Sequence, residues 1–190
     1  MNLRKSLFAI ALFLSPAVAF AHAGHEHAGL LAGISHPLLG PDHLLAMLAV
    51  GLWAAQQAGR RRWALPLTFV TSMLLGGLLG FNGLQIPLLE SGIAASVLAF
   101  GLLVAVAIRL PTIVAIALTA LFALTHGVAH GLELPALTSP WAYAAGFALA
   151  TAALHASGYA LVRLLPQAAA PLVRLAGAAS ALSGAWLLAG

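Results

Sequence analysis

Residues 112–132 read TIVAIALTALFALTHGVAHGL and contain no Asp, Glu, Lys or Arg. As an α-helix, a stretch of this length extends about 31 Å at 1.5 Å per residue, close to the thickness of the hydrocarbon core of a bilayer. The stretch therefore predicts a helix that spans a membrane.

The overall composition indicates the same class of protein. Of the 190 residues, 62% are hydrophobic and 6% are charged, whereas soluble domains carry roughly 45–50% and about 25%. So few charges cannot cover the surface of a water-soluble globule, which excludes a soluble enzyme, a nucleic-acid-binding protein and a disordered chain. We expect an all-α, polytopic membrane protein in contact with lipids and not with nucleic acid.

The N-terminus has the features of a secretory leader. Arg4 and Lys5 precede a short apolar run over residues 7–14, and Ala19-Phe20-Ala21 has the small residues of a cleavage site. We predict a cleaved signal peptide over residues 1–21 and a transmembrane domain over residues 22–190; the alternative is an uncleaved first membrane helix. Six transmembrane helices are predicted at 29–57 with a break near 37–41, 63–80, 91–108, 112–132, 141–162 and 171–189.

Positive charge sets the predicted orientation. The links after the second and fourth segments hold no Lys or Arg, so every Arg beyond the leader falls at one end of the bundle: Arg60, Arg61, Arg62, Arg109, Arg163 and Arg174. Such residues mark the cytoplasmic side. We therefore expect a multi-pass protein of the bacterial inner membrane with both termini in the periplasm.

The first segment contains a polar interruption, HPLLGPDH, over residues 36–43. Pro37 and Pro41 lack the backbone donor that a helix interior needs, and proline is well placed to begin a new helix. We expect an outer piece that ends near His36 and a helix from Pro41 to about residue 57. Asp42 and His43 then lie in the first turn of that helix, where Asp42 is either a metal ligand or a helix cap.

The second polar cluster ends the fourth segment. His126 and His130 are four residues apart and Glu133 follows three later, so all three project from one helix face. Two imidazoles at this spacing commonly hold a divalent transition metal, although a lone histidine in an apolar helix is more often a hydrogen-bonded core residue. Gly127 and Gly131 leave room on the adjacent face for a neighbouring helix.

Both clusters are predicted in the outer half of the membrane, and together they supply a nitrogen and oxygen ligand set: His36, Asp42, His43, His126, His130 and Glu133. Such a set suits Ni, Co, Zn or Cu(II), and the absence of cysteine argues against a Cu(I) or Fe–S site. Met47, one turn below His43, is expected to pack rather than to bind. No tightly bound cofactor is expected.

The remaining polar residues have weaker signals. His155, in the fifth segment, is either a relay for the metal or a core residue. Glu90 is expected only to favour the N-terminus of the third helix. The cluster of His22, His25 and His27 either captures metal at the entrance or forms a polar tail.

At its two motifs the chain resembles the HupE/UreJ family of bacterial membrane proteins. The resemblance is carried by His36-(five residues)-Asp42-His43 and by His126-Gly-x-Ala-His130-Gly-x-Glu133, and it extends over essentially the whole chain. It implies a secondary permease for nickel, with some relatives linked to cobalt, that supplies metal for hydrogenase or urease maturation.

We therefore expect a permease and not an enzyme, with Ni²⁺ as the transported substrate and Co²⁺ or Zn²⁺ as alternatives. The chain has no GxxxxGK[ST] loop for an ATPase of its own. Two other functions stay open: an intramembrane zinc-dependent hydrolase, although HExxH is absent, and a non-transporting metal-binding accessory subunit.

Overall fold

The structure is a computed structural model that describes residues 25–134 and 139–190. Within these ranges every regular element is helical and no strand occurs. The predicted leader and His22 lie outside the described residues, as do the side chains of His25 and His27. The elements are α1 (His25–Leu39), α2 (Pro41–Gln56), α3 (Arg61–Phe81), α4 (Leu89–Val106), α5 (Thr112–Leu132), α6 (Pro140–Leu164), a 3₁₀ turn (Gln167–Ala169) and α7 (Ala170–Ala189).

The helices are those of a multi-pass membrane protein. Five of them, α3 to α7, are each long and apolar enough to cross a bilayer, the last together with its 3₁₀ turn. The pair α1 and α2 passes the same test only jointly, because the two are bent by 81° at a short break. The all-α expectation is confirmed, and the number of spans is five, or six if the bent pair is one span.

The break falls at Gly40, three residues beyond Pro37. Helix α1 continues through Pro37 to Leu39, and the Gly40 amide still donates to the His36 carbonyl oxygen at 3.1 Å. Gly40 then turns extended (φ −80°, ψ 111°), because a residue before proline is sterically driven out of the helical region. The outer piece is therefore longer than the expected end near His36, and Pro41 rather than Pro37 sets the break.

Helices α1 and α2 follow one another along α6. Gly33 of α1 lies against the backbone of Tyr143 and Phe147, and Gly51 of α2 lies against the backbone of His155. The contacts therefore advance along α6 in the same direction as along the bent pair. Both helices of the bent pair therefore pack against the same neighbour, α6.

Glycines bring the other helices together in pairs. Helix α3 packs most extensively against α5, and α4 against α7. A Cβ on Gly127 of α5 would overlap the Met73 carbonyl oxygen, and one on Gly131 would overlap that of Gly77. Gly101 of α4 has the same relation to the backbone of α7. Small residues allow this close backbone approach in membranes, as the sequence predicts for Gly127 and Gly131.

Backbone acceptors in the last turn of α4 and in the loop after it bind side chains at the end of the bundle that carries the Arg residues. The Arg61 guanidinium donates to the Leu110 carbonyl oxygen at 2.7 Å, and Arg174 donates to that of Ala105 at 2.7 Å. The Trp53 indole donates to the Ile108 carbonyl oxygen at 3.0 Å. The start of α3, the end of α4 and the start of α7 therefore meet at one end.

Adjacent glycines of α3 test the packing of α3 on α5. A Cβ at Gly76 would overlap the Leu124 carbonyl oxygen, whereas a Cβ at Gly77 meets only the Gly127 carbonyl oxygen, at an ordinary 3.6 Å. We expect Gly76→Ala to lower the free energy of unfolding by about 1–3 kcal/mol through overpacking. The matched Gly77→Ala variant should be as stable as the parent. The measurement is the unfolding midpoint in a mixed-detergent titration; equal midpoints for the two variants would contradict the packing described.

Candidate metal site

Three histidines converge where the bent helix pair meets α5. His36 comes from the last turn of α1, His43 from the first turn of α2 and His130 from α5. One ring nitrogen of each can be chosen so that all three lie within 4.8 Å of one another. An ion centred among three such nitrogens would lie at most about 2.8 Å from each of them, whereas a metal–nitrogen bond is about 2.1 Å long. A shift of less than an ångström would therefore let them share one metal ion.

The break in the first span makes this convergence possible. In a continuous helix, residues seven apart lie about 10.5 Å apart along the axis. With the 81° bend between them, the rings of His36 and His43 have centroids 5.8 Å apart. Gly40 keeps the corner open, because a Cβ there would lie 3.2 Å from the Asp42 carboxylate oxygen.

Two carboxylates lie beside the three histidines. The Glu133 Oε2 atom lies 3.4 Å from His36 Nε2 and 4.0 Å from His130 Nδ1. The Asp42 Oδ1 atom lies 3.3 Å from His43 Nδ1 and accepts a hydrogen bond from the His43 backbone amide at 2.8 Å. Asp42 thus satisfies a free amide in the first turn of α2 and also lies on the wall of an open cavity. The cap and ligand interpretations are compatible in this geometry.

An open cavity of about 430 Å³ leads to the cluster. Its wall includes His36, Asp42, His43 and Glu133, and it also includes Glu90. Glu90 was expected only to favour the start of α4, and its place on the cavity wall was not predicted. Its predicted location at the outer end, level with both motifs, was the available signal.

His126 lies one turn deeper and outside the three-histidine group. Its ring centroid is 5.0 Å from that of His43, and its Nε2 atom is 2.7 Å from the Ser96 hydroxyl oxygen. Ser96 donates its own proton to the Ile93 carbonyl oxygen at 2.6 Å. His126 Nε2 must therefore be the donor, which leaves the Nδ1 lone pair, a buried atom without a hydrogen-bond partner among the described residues.

The histidine nitrogens are unusually poor in hydrogen bonds. His130 is buried, its ring packs on Phe147 with centroids 4.0 Å apart, and neither of its nitrogens has a partner within the described residues. His43 Nδ1 likewise makes no hydrogen bond there. Buried polar atoms left this way cost free energy. A bound metal would satisfy them.

His155 lies deeper still, on α6. Its Nδ1 atom donates to the Met47 carbonyl oxygen at 2.8 Å, which leaves Nε2 as a buried lone pair without a hydrogen-bond partner in the described ranges. Phe69 packs against the rings of both His126 and His155, with centroids 5.7 and 5.0 Å away. Nothing in the sequence distinguishes Phe69 from the other apolar residues of α3, so its contact with both histidines was not predictable.

Known proteins resemble the chain over its full length. The family model described as HupE / UreJ protein matches residues 10–187. The curated Protein HupE of Rhizobium leguminosarum bv. viciae is 43% identical over 191 residues, which cover 100% of both chains. No solved structure matches the chain.

His36 offers a test of metal binding with little risk to folding, because its side chain is 34% exposed. We expect His36→Ala to weaken Ni²⁺ binding by at least about tenfold, since one of three nitrogen ligands is lost. Equilibrium dialysis of the purified protein against Ni²⁺, with metal counted by mass spectrometry, measures the change.

Ser35→Ala is the matched control for that measurement. Ser35 lines the same cavity, but its hydroxyl donates to the Ala32 carbonyl oxygen at 3.2 Å. Ni²⁺ affinity should be unchanged in this variant. An affinity of the His36→Ala protein equal to that of the control would count against the three-histidine site.

Proposed function

The chain belongs to the HupE/UreJ family, and we propose that it is a secondary permease that moves Ni²⁺ from the periplasm to the cytoplasm. The observation that carries the proposal is the convergence of His36, His43 and His130 at a helix break inside the membrane protein. Broken helices of this kind frame the ion sites of many transporters. The proposed metal ligands are His36, Asp42, His43, His126, His130 and Glu133.

The ligand chemistry supports a divalent transition metal. A hydrated dication cannot enter hydrocarbon unless protein atoms replace its water. The cluster offers neutral imidazole nitrogens, and Asp42 and Glu133 bring negative charge within 4.0 Å of them. Imidazole and carboxylate suit Ni²⁺, Co²⁺ and Zn²⁺. The ion is the substrate in this proposal, and no resident cofactor is required.

The deeper histidines give the ion a route inward. His126 and His155 each keep a buried nitrogen without a hydrogen-bond partner among the described residues. Their rings both pack against Phe69, below the three-histidine cluster. We assign His155 the role of a relay ligand, which accepts the metal after it leaves the outer cavity.

The membrane potential can drive this movement. A charge gains about 2.3 kcal/mol for each 100 mV when it moves to the negative side, and a dication gains roughly twice that amount. Facilitated diffusion followed by capture in the cytoplasm is therefore sufficient.

The proposed direction follows from the distribution of charge. The Arg residues meet at the end of the bundle opposite the cavity, and positive residues mark the cytoplasmic side. The cavity then opens to the periplasm, where both termini lie, in the bacterial inner membrane. In the mature protein, His22, His25 and His27 would capture metal at that opening.

Uptake by the purified protein in liposomes tests the proposal. With the potential negative inside, the parent protein should accumulate radiolabelled Ni²⁺. We expect uptake to be abolished in four single variants because each loses a ligand of the outer site: His36→Ala, Asp42→Ala, His43→Ala and His130→Ala. Ser157→Ala is the control, since Ser157 is exposed on α6 and its hydroxyl donates only to the Ala153 carbonyl oxygen.

The same preparation separates the other two functions. A zinc-dependent hydrolase would turn over lipid or peptide without accumulating Ni²⁺, and an accessory subunit would bind metal but do neither. Full uptake in any two of the four ligand variants would contradict the assignment of the site.

A further inference from the structure

Two methionine sulfurs meet at one hydroxyl below the three-histidine cluster. Thr151 Oγ1 lies 3.3 Å from the sulfur of Met47 and 3.6 Å from that of Met73. The methionines come from α2 and α3, and Thr151 comes from α6. All three side chains are at most 2% exposed. Two soft donor atoms from different helices therefore share one small, buried region.

His155 contacts the backbone of Met47 and lies close to Thr151 in sequence. His155 follows Thr151 by one turn on the same face of α6. Its Nδ1 atom donates a hydrogen bond to the Met47 carbonyl oxygen of α2. That bond fixes Nε2 as the atom with the free lone pair. Nε2 is buried and has no hydrogen-bond partner in the part of the chain that the structure describes.

Packing alone accounts poorly for this arrangement. Methionine usually fills irregular gaps in a core, and leucine or isoleucine would do so here without a polar partner. The chain has only three methionines, and two of them converge on one hydroxyl beside an unsatisfied imidazole nitrogen. The combination is that of a ligand set.

The donors differ in kind from those of the outer site. Thioether sulfur is a soft ligand that selects Cu(I) among the transition metals. Met47, Met73 and His155 are also all uncharged ligands, whereas the outer cluster includes two carboxylates. The cost of moving an ion out of water rises with the square of its charge, so a monovalent cation costs a quarter as much as a dication of equal size.

We propose that Met47, Met73 and His155 form a second metal site that binds a soft monovalent cation, Cu(I), with Ag⁺ as its redox-inert analogue. Met47 lies one turn below His43, and Thr151 lies one turn below Phe147, which packs on His130. The proposed site therefore lies about one helical turn below the three-histidine cluster. Because binding is measured on the purified protein, the inference does not require that Ni²⁺ is transported.

X-ray absorption at the silver edge tests the site directly. The purified full chain is loaded with one equivalent of silver nitrate in chloride-free buffer. The chain has no cysteine, so any sulfur bound to Ag⁺ must belong to a methionine. We expect two sulfur scatterers and one nitrogen scatterer in the parent protein. A shell of nitrogen and oxygen alone would overturn the proposal.

Variants identify the two sulfurs. The double change Met47→Leu with Met73→Leu nearly conserves volume, and it should remove both sulfur scatterers and weaken Ag⁺ binding by at least about tenfold. Retention of both scatterers in this variant would contradict the assignment. If the double variant does not fold, the spectrum of the parent protein still decides between sulfur and nitrogen or oxygen ligands.

Thr151→Val is the matched control. The substitution removes the hydroxyl that is hydrogen-bonded to the two sulfurs but keeps the branched shape of the side chain. The variant protein should retain both sulfur scatterers. Loss of the scatterers in this variant would show that packing and not ligation governs the signal. The outcome for silver is separate from that for nickel: sulfur ligation would support this site even if Ni²⁺ uptake in liposomes failed.

Discussion

The arrangement of this protein depends on one constraint, which is that a break in an intramembrane helix must be enclosed by protein. Backbone groups freed from a helix cannot face lipid, so such breaks occur only where protein or a wet cavity covers them. At Gly40 the corner forms part of the cavity wall, and the Gly40 amide and carbonyl groups keep hydrogen bonds to His36 and Leu44. The same break in the helix also brings the side chains of His36 and His43 close together. The helix break therefore determines both the bend between α1 and α2 and the position of two candidate metal ligands.

Close glycine packing supplies the other half of the site. Gly127 and Gly131 lie against the backbone of α3, so this face of α5 is buried in the contact between the two helices. His126 and His130 project to a different side of α5, where His43 lies. The alternation of Gly and His over residues 126–131 therefore separates two tasks on one helix: one set of positions fixes the helix, and the other presents nitrogen atoms to the bent span.

Local patterns in the sequence predicted much of this arrangement, and contacts between distant helices account for the rest. Apolar length indicates helices, and proline next to glycine indicates a break, because both effects act within a few residues. The position of Glu90 on the cavity wall, the bond between His126 and Ser96 and the place of Phe69 depend on how α3, α4 and α5 pack. No nearby residue encodes such contacts. The end of α1 was expected near His36 because proline usually disturbs the preceding turn of a helix, whereas α1 continues through Pro37 to Leu39.

The two donor sets along the bundle also differ in charge, and this difference constrains any ion that passes through. A dication at the outer cluster is accompanied by Asp42 and Glu133, and it leaves both carboxylates when it moves toward His155. That transfer would carry an electrostatic cost, since the deeper donors bring no negative charge and are buried. A soft monovalent cation would meet a lower cost at the same step and would find the sulfur ligands of the proposed second site there. In the proposed permease, the outer carboxylates would favour entry of divalent ions, and the proposed methionine site would favour retention of soft monovalent ones. Selectivity would then depend on the order of the two sets as much as on either set alone.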